Sequence, residues 1–172
     1  NDEATKEPYL LPVDITGKNI RLGISLTELY RELATYPVKG AYVFLDACFS
    51  GGYKSAAPLL AQKGVRVVPK VGLPQGKTLS FSSSSGDQTS SVYHDKKQGY
   101  YTYFLIKTIK DARGDLSMKD LFERTSAAVK KATAMIGKMQ EPQCMVSPTW
   151  FGWESLRLET PVEPAPVAPQ GE

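Results

Sequence analysis

The run AYVFLDA, Ala41 to Ala47, is apolar from end to end except for its acid. It does not alternate between core and water, so it fits a strand buried on both faces, as strands are in a parallel sheet. Helical patterns stand on either side of it. ISLTELYRELATYP precedes it, with Leu26, Leu29, Tyr30 and Leu33 at helical spacing, a Ser25/Glu28 capping box at the start and Pro37 at the stop. After it come a second strand, TLSFSSSS (Thr78 to Ser85), and a helix, GYYTYFLIKTIKDA, with Tyr101, Phe104, Leu105 and Ile109 on one face. LSMKDLFERTSAAVKKATAMIG reads as a further helix that starts at Ser117 and Asp120 and stops at Gly137. PYLLPVD (Pro8 to Asp14) reads as a short strand and PTWFGW (Pro148 to Trp153) as a closing one, with a further helix (SAAPLLAQKG) and strand (VRVVP) between Gly51 and Lys77. Strands alternating with helices predict an α/β fold with a mostly parallel central sheet. Such sheets place their sites at the carboxyl ends of the strands.

Size and charge narrow the partners. The chain has 172 residues, about one domain. Its formal net charge of +3 comes from scattered Lys and Arg, with no basic block, so nucleic acid is not expected. No apolar run approaches the ~18 residues of a membrane helix. The opening NDEATKEPYL is polar and acidic, unlike a signal peptide. Two widely separated cysteines, Cys48 and Cys144, fit a reducing compartment, so the expected location is cytoplasmic. A single His and the absence of paired Cys or His spacing argue against a metal site. From Thr160 the sequence TPVEPAPVAPQGE is too poor in apolar residues to pack, so residues 1–159 form the expected domain and 160–172 a Pro-rich tail or linker.

The chemistry gathers where the buried strand breaks off into LDACFSGG. A free thiol has a pKa near ~8.5 and needs an imidazole or another positive field to become a useful nucleophile. Gly51 and Gly52 carry no side chain, so a substrate backbone can come close and the chain can turn its N–H groups inward. Those of Gly51 and Cys48 could hold an oxyanion. Asp46 lies two residues before Cys48, on the same strand face at roughly 6–7 Å. A carboxylate so placed opposes a thiolate, so it suits the gripping of a cationic substrate side chain instead. The plainer alternative is a small buried Cys and a turn-forming Asp.

LDACFSGG resembles the nucleophile motif of the caspase-like cysteine peptidases, in the branch of the metacaspases and bacterial orthocaspases, which carry D-x-C-x-S-G at the end of a buried strand. YLLPVD is similar to the strand that follows the branch's catalytic His motif. LSFSSSSGDQTSSVY is similar to its next strand and loop, GYYTYFLIKTI to its G-x-F-T-x-x-L-L helix, SMKDLFERTSAAV to the helix after that, and EPQ to its closing Gln-x-Pro turn. The likeness spans roughly Pro8 to Leu158. It implies an α/β/α sandwich and a cysteine endopeptidase. Cys48 would be the nucleophile, and Asp46 would line a pocket for Lys or Arg at the residue before the scissile bond. Backbone near Ser82, Ser83 and Ser84 would pair with the substrate as an added strand.

The branch's catalytic His belongs in an S-G-H-G motif ahead of YLLPVD, and this chain has no His before Cys48. The resemblance therefore implies the C-terminal part of a catalytic domain, completed by a His-bearing N-terminal part outside this chain. His94, in VYHDKKQGYY, is either a solvated surface residue or a base. Ser91-Val92 stands where many eukaryotic members have Ala-Asp, so an acidic contact from there is absent. No cofactor is needed for the chemistry. Calcium activation in the branch uses acidic clusters ahead of the Cys; here that leaves Asp2 and Glu3, two carboxylates without further partners. Lys54, Lys63, Arg66, Lys70 and Lys77 are either self-processing sites for an enzyme that cuts after basic residues or ordinary solvated charges.

Two rivals remain. A Cys-dependent phosphatase needs Arg six residues after its Cys; Lys54 stands there, a poor substitute for the guanidinium fork. A catalytically inactive interaction or scaffold module would explain the missing His. It would not explain Asp46, Cys48 and the Gly pair together.

Overall fold

The computed structural model describes residues 7–15, 17–47, 72–85 and 88–158. Two short strands come first, β1 (Tyr9–Leu10) and β2 (Ile24–Ser25), paired antiparallel. Helix α1 (Leu26–Thr35) follows at once. Ser25 caps it, accepting the Glu28 N–H at 3.1 Å. The expected capping box does not close, because the Glu28 carboxylate pairs with Arg31. Glu7 takes its place, accepting the Ser25 hydroxyl at 2.7 Å and the Thr27 N–H at 3.0 Å.

Strands β3 (Ala41–Leu45) and β4 (Thr78–Ser82) pair in parallel. A small antiparallel pair, β5 (Val92–Tyr93) and β6 (Gln98–Gly99), leads into helix α2 (Tyr100–Asp111). Helix α3 (Met118–Ala134) starts on Ser117, whose hydroxyl accepts the Asp120 N–H at 3.1 Å. It stops at Gly137, whose φ of +67° lets the Lys138 N–H return to the Thr133 carbonyl at 2.9 Å. Strand β7 (Gln143–Val146) then pairs with β4 antiparallel, giving the order β3-β4-β7.

Three expectations need correcting. The sheet is mixed among the described strands, with one parallel and one antiparallel pairing, where a mostly parallel one was expected. Two helices, α2 and α3, lie between β4 and β7, and β7 enters antiparallel. β3 is not buried on both faces, since Tyr42 and Phe44 keep 36% and 37% of their surface. The doubly buried strand is β4, which has neighbours on both edges. PTWFGW is no strand: Gly152 takes φ +77° and a 3-10 turn (Trp153–Ser155) follows. Its rings plug the sheet instead, Trp150 against Tyr42 and Trp153 against Phe81.

Successive residues of a strand point to opposite faces, and this splits the core in two. Leu79 and Phe81 join Tyr101, Leu116, Met118, Leu121 and Val129 from α2, α3 and the turn between them. Val43, Leu45 and Met145 pack against Leu26 and Tyr30 of α1. Ser80 faces this second cluster and accepts the Tyr30 hydroxyl at 2.7 Å. The sheet is thus pinned from two sides, with its carboxyl ends at Leu45 and Ser82. The helix and strand read between Gly51 and Lys77 lie outside the described residues, as do Asp2, Glu3 and the tail from Thr160.

Candidate active site

The strand ends hold Asp46 and the serines close together. Asp46 follows the last residue of β3, and its Oδ2 reaches the first turn of α2. There it accepts the Thr102 N–H at 3.2 Å and the Thr102 hydroxyl at 2.7 Å. Helix starts leave N–H groups unpaired and favour negative charge. Gly99, the residue that opens α2, has no side chain to serve them, and Asp46 does so from across the fold. The other carboxylate oxygen, Oδ1, is buried and has no hydrogen-bond partner among the described residues. Beneath it Tyr101 is held in its neutral form: burial first, then the Asp46 and Cys144 charges, push the phenol well up from its ordinary value.

Ser82, Ser83 and Ser84 are all buried. Ser82 lies within β4, flanked by Leu45 and Gln143. The Ser83 N–H donates to the Leu45 carbonyl at 2.8 Å, and its carbonyl accepts from Gln140 Nε2 at 3.0 Å. Ser82 and Ser83 are therefore tied into the fold, and Ser84 too is engaged, its carbonyl 3.4 Å from the Ser82 hydroxyl and its own hydroxyl 3.4 Å from the Gln88 carbonyl. The hydroxyls of Ser83 and Ser90 hydrogen-bond to each other, and both oxygens stand 3.3 Å from the Ala47 carbonyl, which accepts from whichever hydroxyl keeps its proton free. This pair thus fixes the residue immediately before Cys48. Gln140 closes the loop by accepting the Ser91 N–H at 2.8 Å.

Beside this cluster lies a cleft of about 530 Å³ lined by Ser90, Ser91, Tyr93, Tyr100, Ile136 and Lys138, with His94 exposed on its wall. The Tyr93 and Tyr100 rings stack 4.4 Å apart. The His94 imidazole makes no hydrogen bond to a described residue. Cys144, on β7, is half-buried, and burial followed by the Glu154 charge pushes its thiol up to about 11. It is a poor nucleophile, which leaves Cys48 as the reactive candidate. Cys48 and Gly51 lie outside the described residues, as do Lys54, Lys63, Arg66 and Lys70. No group of three or more His, Cys, Asp or Glu side chains stands where it could hold a metal ion among the described residues.

The family model for the caspase domain, peptidase C14, matches residues 1–149. The chain belongs to the caspase domain family. No curated protein and no solved structure matches it. A caspase domain is a cysteine peptidase in kind, with polypeptide as its substrate class, and the mixed α/β architecture agrees with it. No helix among the described residues is long and apolar enough to cross a membrane. The sequence reading missed Thr102, Ser90 and Gln140. Thr102 stands in the quoted Gly-x-x-Thr pattern and Ser90 in GDQTSS, but their partners come from distant segments that no local pattern reveals.

Proposed function

We propose that this caspase domain cleaves polypeptides after Lys or Arg, as part of a metacaspase-like enzyme whose base is a His supplied from outside this chain. The observation that carries the reading is Asp46. It sits at the end of β3, two residues before Cys48, with one oxygen clasped by Thr102 and the other buried with no donor among the described residues. A buried acceptor left unpaired is costly, and a substrate ammonium or guanidinium is the donor that would relieve it.

The external imidazole takes the Cys48 proton, and the thiolate attacks the carbonyl carbon of the basic residue. The N–H groups of Cys48 and Gly51 hold the oxyanion. The C–N bond breaks, the amine leaves with the proton from the imidazolium, and a thioester remains. Water, deprotonated by the same imidazole, hydrolyses the thioester to a carboxylate and restores the thiol. The peptide adds as a strand beside Ser84, where β4 has ended.

The test is a set of matched fluorogenic peptides with Lys, Arg, Asp or Leu before the scissile bond, cut by the intact protein. Cys48→Ala should abolish turnover. Asp46→Asn keeps an oxygen for Thr102 but loses the charge, and should lower kcat/KM on basic peptides by about 30-fold or more. Cleavage after Asp, or equal turnover by Asp46→Asn, would refute the basic specificity. No cleavage and no thiol labelling under any condition would favour the scaffold.

A further inference from the structure

Helix α3 runs out into an apolar patch that the core does not use. Met135, Ile136 and Met139 keep 81%, 48% and 74% of their surface, around the turn at Gly137. Large apolar side chains grouped on a surface mark a contact, and methionines adapt to what they meet. Ile136 also lines the cleft beside the site, with Val92, Tyr93 and Tyr100. At about 530 Å³ the cleft has the size of a ligand pocket. Tyr100 is buried in its stack and Tyr93 only half-buried, so Tyr93 is the ring left to meet a partner. The rim is basic. Lys96, Lys97, Lys131 and Lys138 are exposed, and Asp95 is the single acid among the lining residues.

An occupant needs apolar rings or short chains for Tyr93 and the methionines, and negative charge for the rim. The chain's own continuation has that chemistry. From Pro161 it reads PVEPAPVAPQGE, with Pro161, Pro164, Pro166 and Pro169, acids at Glu163 and Glu172, and no Lys or Arg. Pro-rich segments favour the polyproline helix, with about three residues per turn, and dock on aromatic-lined grooves. Pro166 and Pro169 would then share one face. The reach fits as well. Arg157 bridges to Ser117, and the Leu156 carbonyl accepts the Met118 N–H at 2.7 Å, so the described chain ends beside the first turn of α3. The patch lies past the far end of the 17 residues of α3, about 25 Å away. A polyproline helix leaving Leu158 covers about 25 Å by Pro166. We propose that Pro161–Glu172 folds back along α3 and docks Pro166 and Pro169 on Tyr93, Met135, Ile136 and Met139, its acids toward Lys131 and Lys138. The docked segment covers the wall formed by Ser90 and Ser91. It does so whether or not the enzyme cuts after basic residues.

Isotope-labelled methionine methyl groups report on this by NMR, in the full chain and in a chain ended after Thr160. Met118 and Met145 sit in the two core clusters and monitor folding. Loss of the segment should shift the Met135 and Met139 signals and leave the other two in place. A synthetic PVEPAPVAPQGE peptide added to the shortened chain should restore them. The same peptide carrying Pro166→Gly and Pro169→Gly should bind about 5-fold more weakly or worse. Tyr93→Ala should weaken the unaltered peptide by about 5-fold or more, and Tyr93→Phe should not. Lys138→Glu, at an exposed position away from the tyrosine stack, should weaken it by about 2-fold or more at low salt. Identical Met135 and Met139 signals with and without the segment would overturn the proposal. So would peptide binding indifferent to the proline changes and to both Tyr93→Ala and Lys138→Glu. Shifts in the full chain that grow with protein concentration would overturn the fold-back and assign the surface to a second copy of the chain.

Discussion

Gln140→Leu tests whether one buried side chain holds the loop that walls the site. Gln140 is 1% exposed, so water cannot replace its partners. Its Nε2 donates to the Ser83 carbonyl at 3.0 Å, and its Oε1 accepts the Ser91 N–H at 2.8 Å. Leu fills nearly the same volume and does neither, so the change isolates the polar loss from any cavity. Two buried backbone groups lose their partners at about 1–3 kcal/mol each, which sums to about 2–6 kcal/mol. We expect about 3 kcal/mol, since the carbonyl has a second lone pair and the loop can relax toward water. For a domain of this size that lowers Tm by about 6–12 °C. Urea melts followed by Trp150 and Trp153 fluorescence give the energy. Hydrogen exchange gives the location, because the Ser91 amide should lose protection before the amides of β4 do. A loss under about 0.5 kcal/mol, or a Ser91 amide that exchanges at its original rate, would refute the reasoning.

Two further outcomes follow from the core. Tyr30→Phe strips Ser80 of a buried partner held at 2.7 Å and should cost about 1–2 kcal/mol in the same melts; adding Ser80→Ala should recover part of that loss. The Cys144 thiol has its pKa raised from 9.0 to about 11 in the folded chain, so the unfolded state gives up its proton first. Stability is therefore fully present below about pH 9 and declines as pH rises from there through about 11. Tyr101, also raised, pulls the same way from above about pH 10. Melts at about pH 8 and about pH 10 should show the decline, and Cys144→Ser should reduce it. An increase in stability over that interval would contradict the burial of Cys144.

Local periodicity made much of the fold legible. The helices α1, α2 and α3 carry their apolar stripes in sequence, α1 and α3 their caps as well, and β3 stands out as an apolar run. The errors arise where sequence pattern and neighbourhood part company. AYVFL looks the same whether a strand is central or at a sheet edge; only its partners decide, and Tyr42 and Phe44 came out half-exposed. PTWFGW is rich in residues that favour strands, yet Gly152 with its positive φ turns the chain and the aromatic rings serve as plugs. Four residues after a proline, Gln143–Val146, were too short a signal to be read as the strand that closes the sheet. The site shows the same division. Asp46 was legible as an acid beside a cysteine, because both lie in one motif. Its hold by Thr102 was not, because a helix borrowing its cap from another strand leaves no trace in local spacing.

The alternation along β4 has a consequence for how the strand seats itself. Its aliphatic and aromatic side chains go to one layer, and its hydroxyls to the other. Sliding the strand by a single residue would thrust Ser80 and Ser82 into the Phe122 and Trp153 aromatic packing and turn Phe81 toward the Tyr30 hydroxyl. That mismatch acts as a ratchet tooth during assembly. It locks Leu45 opposite Ser82, and so fixes how far the acid-bearing tip of one strand stands from the serine-rich tip of the next.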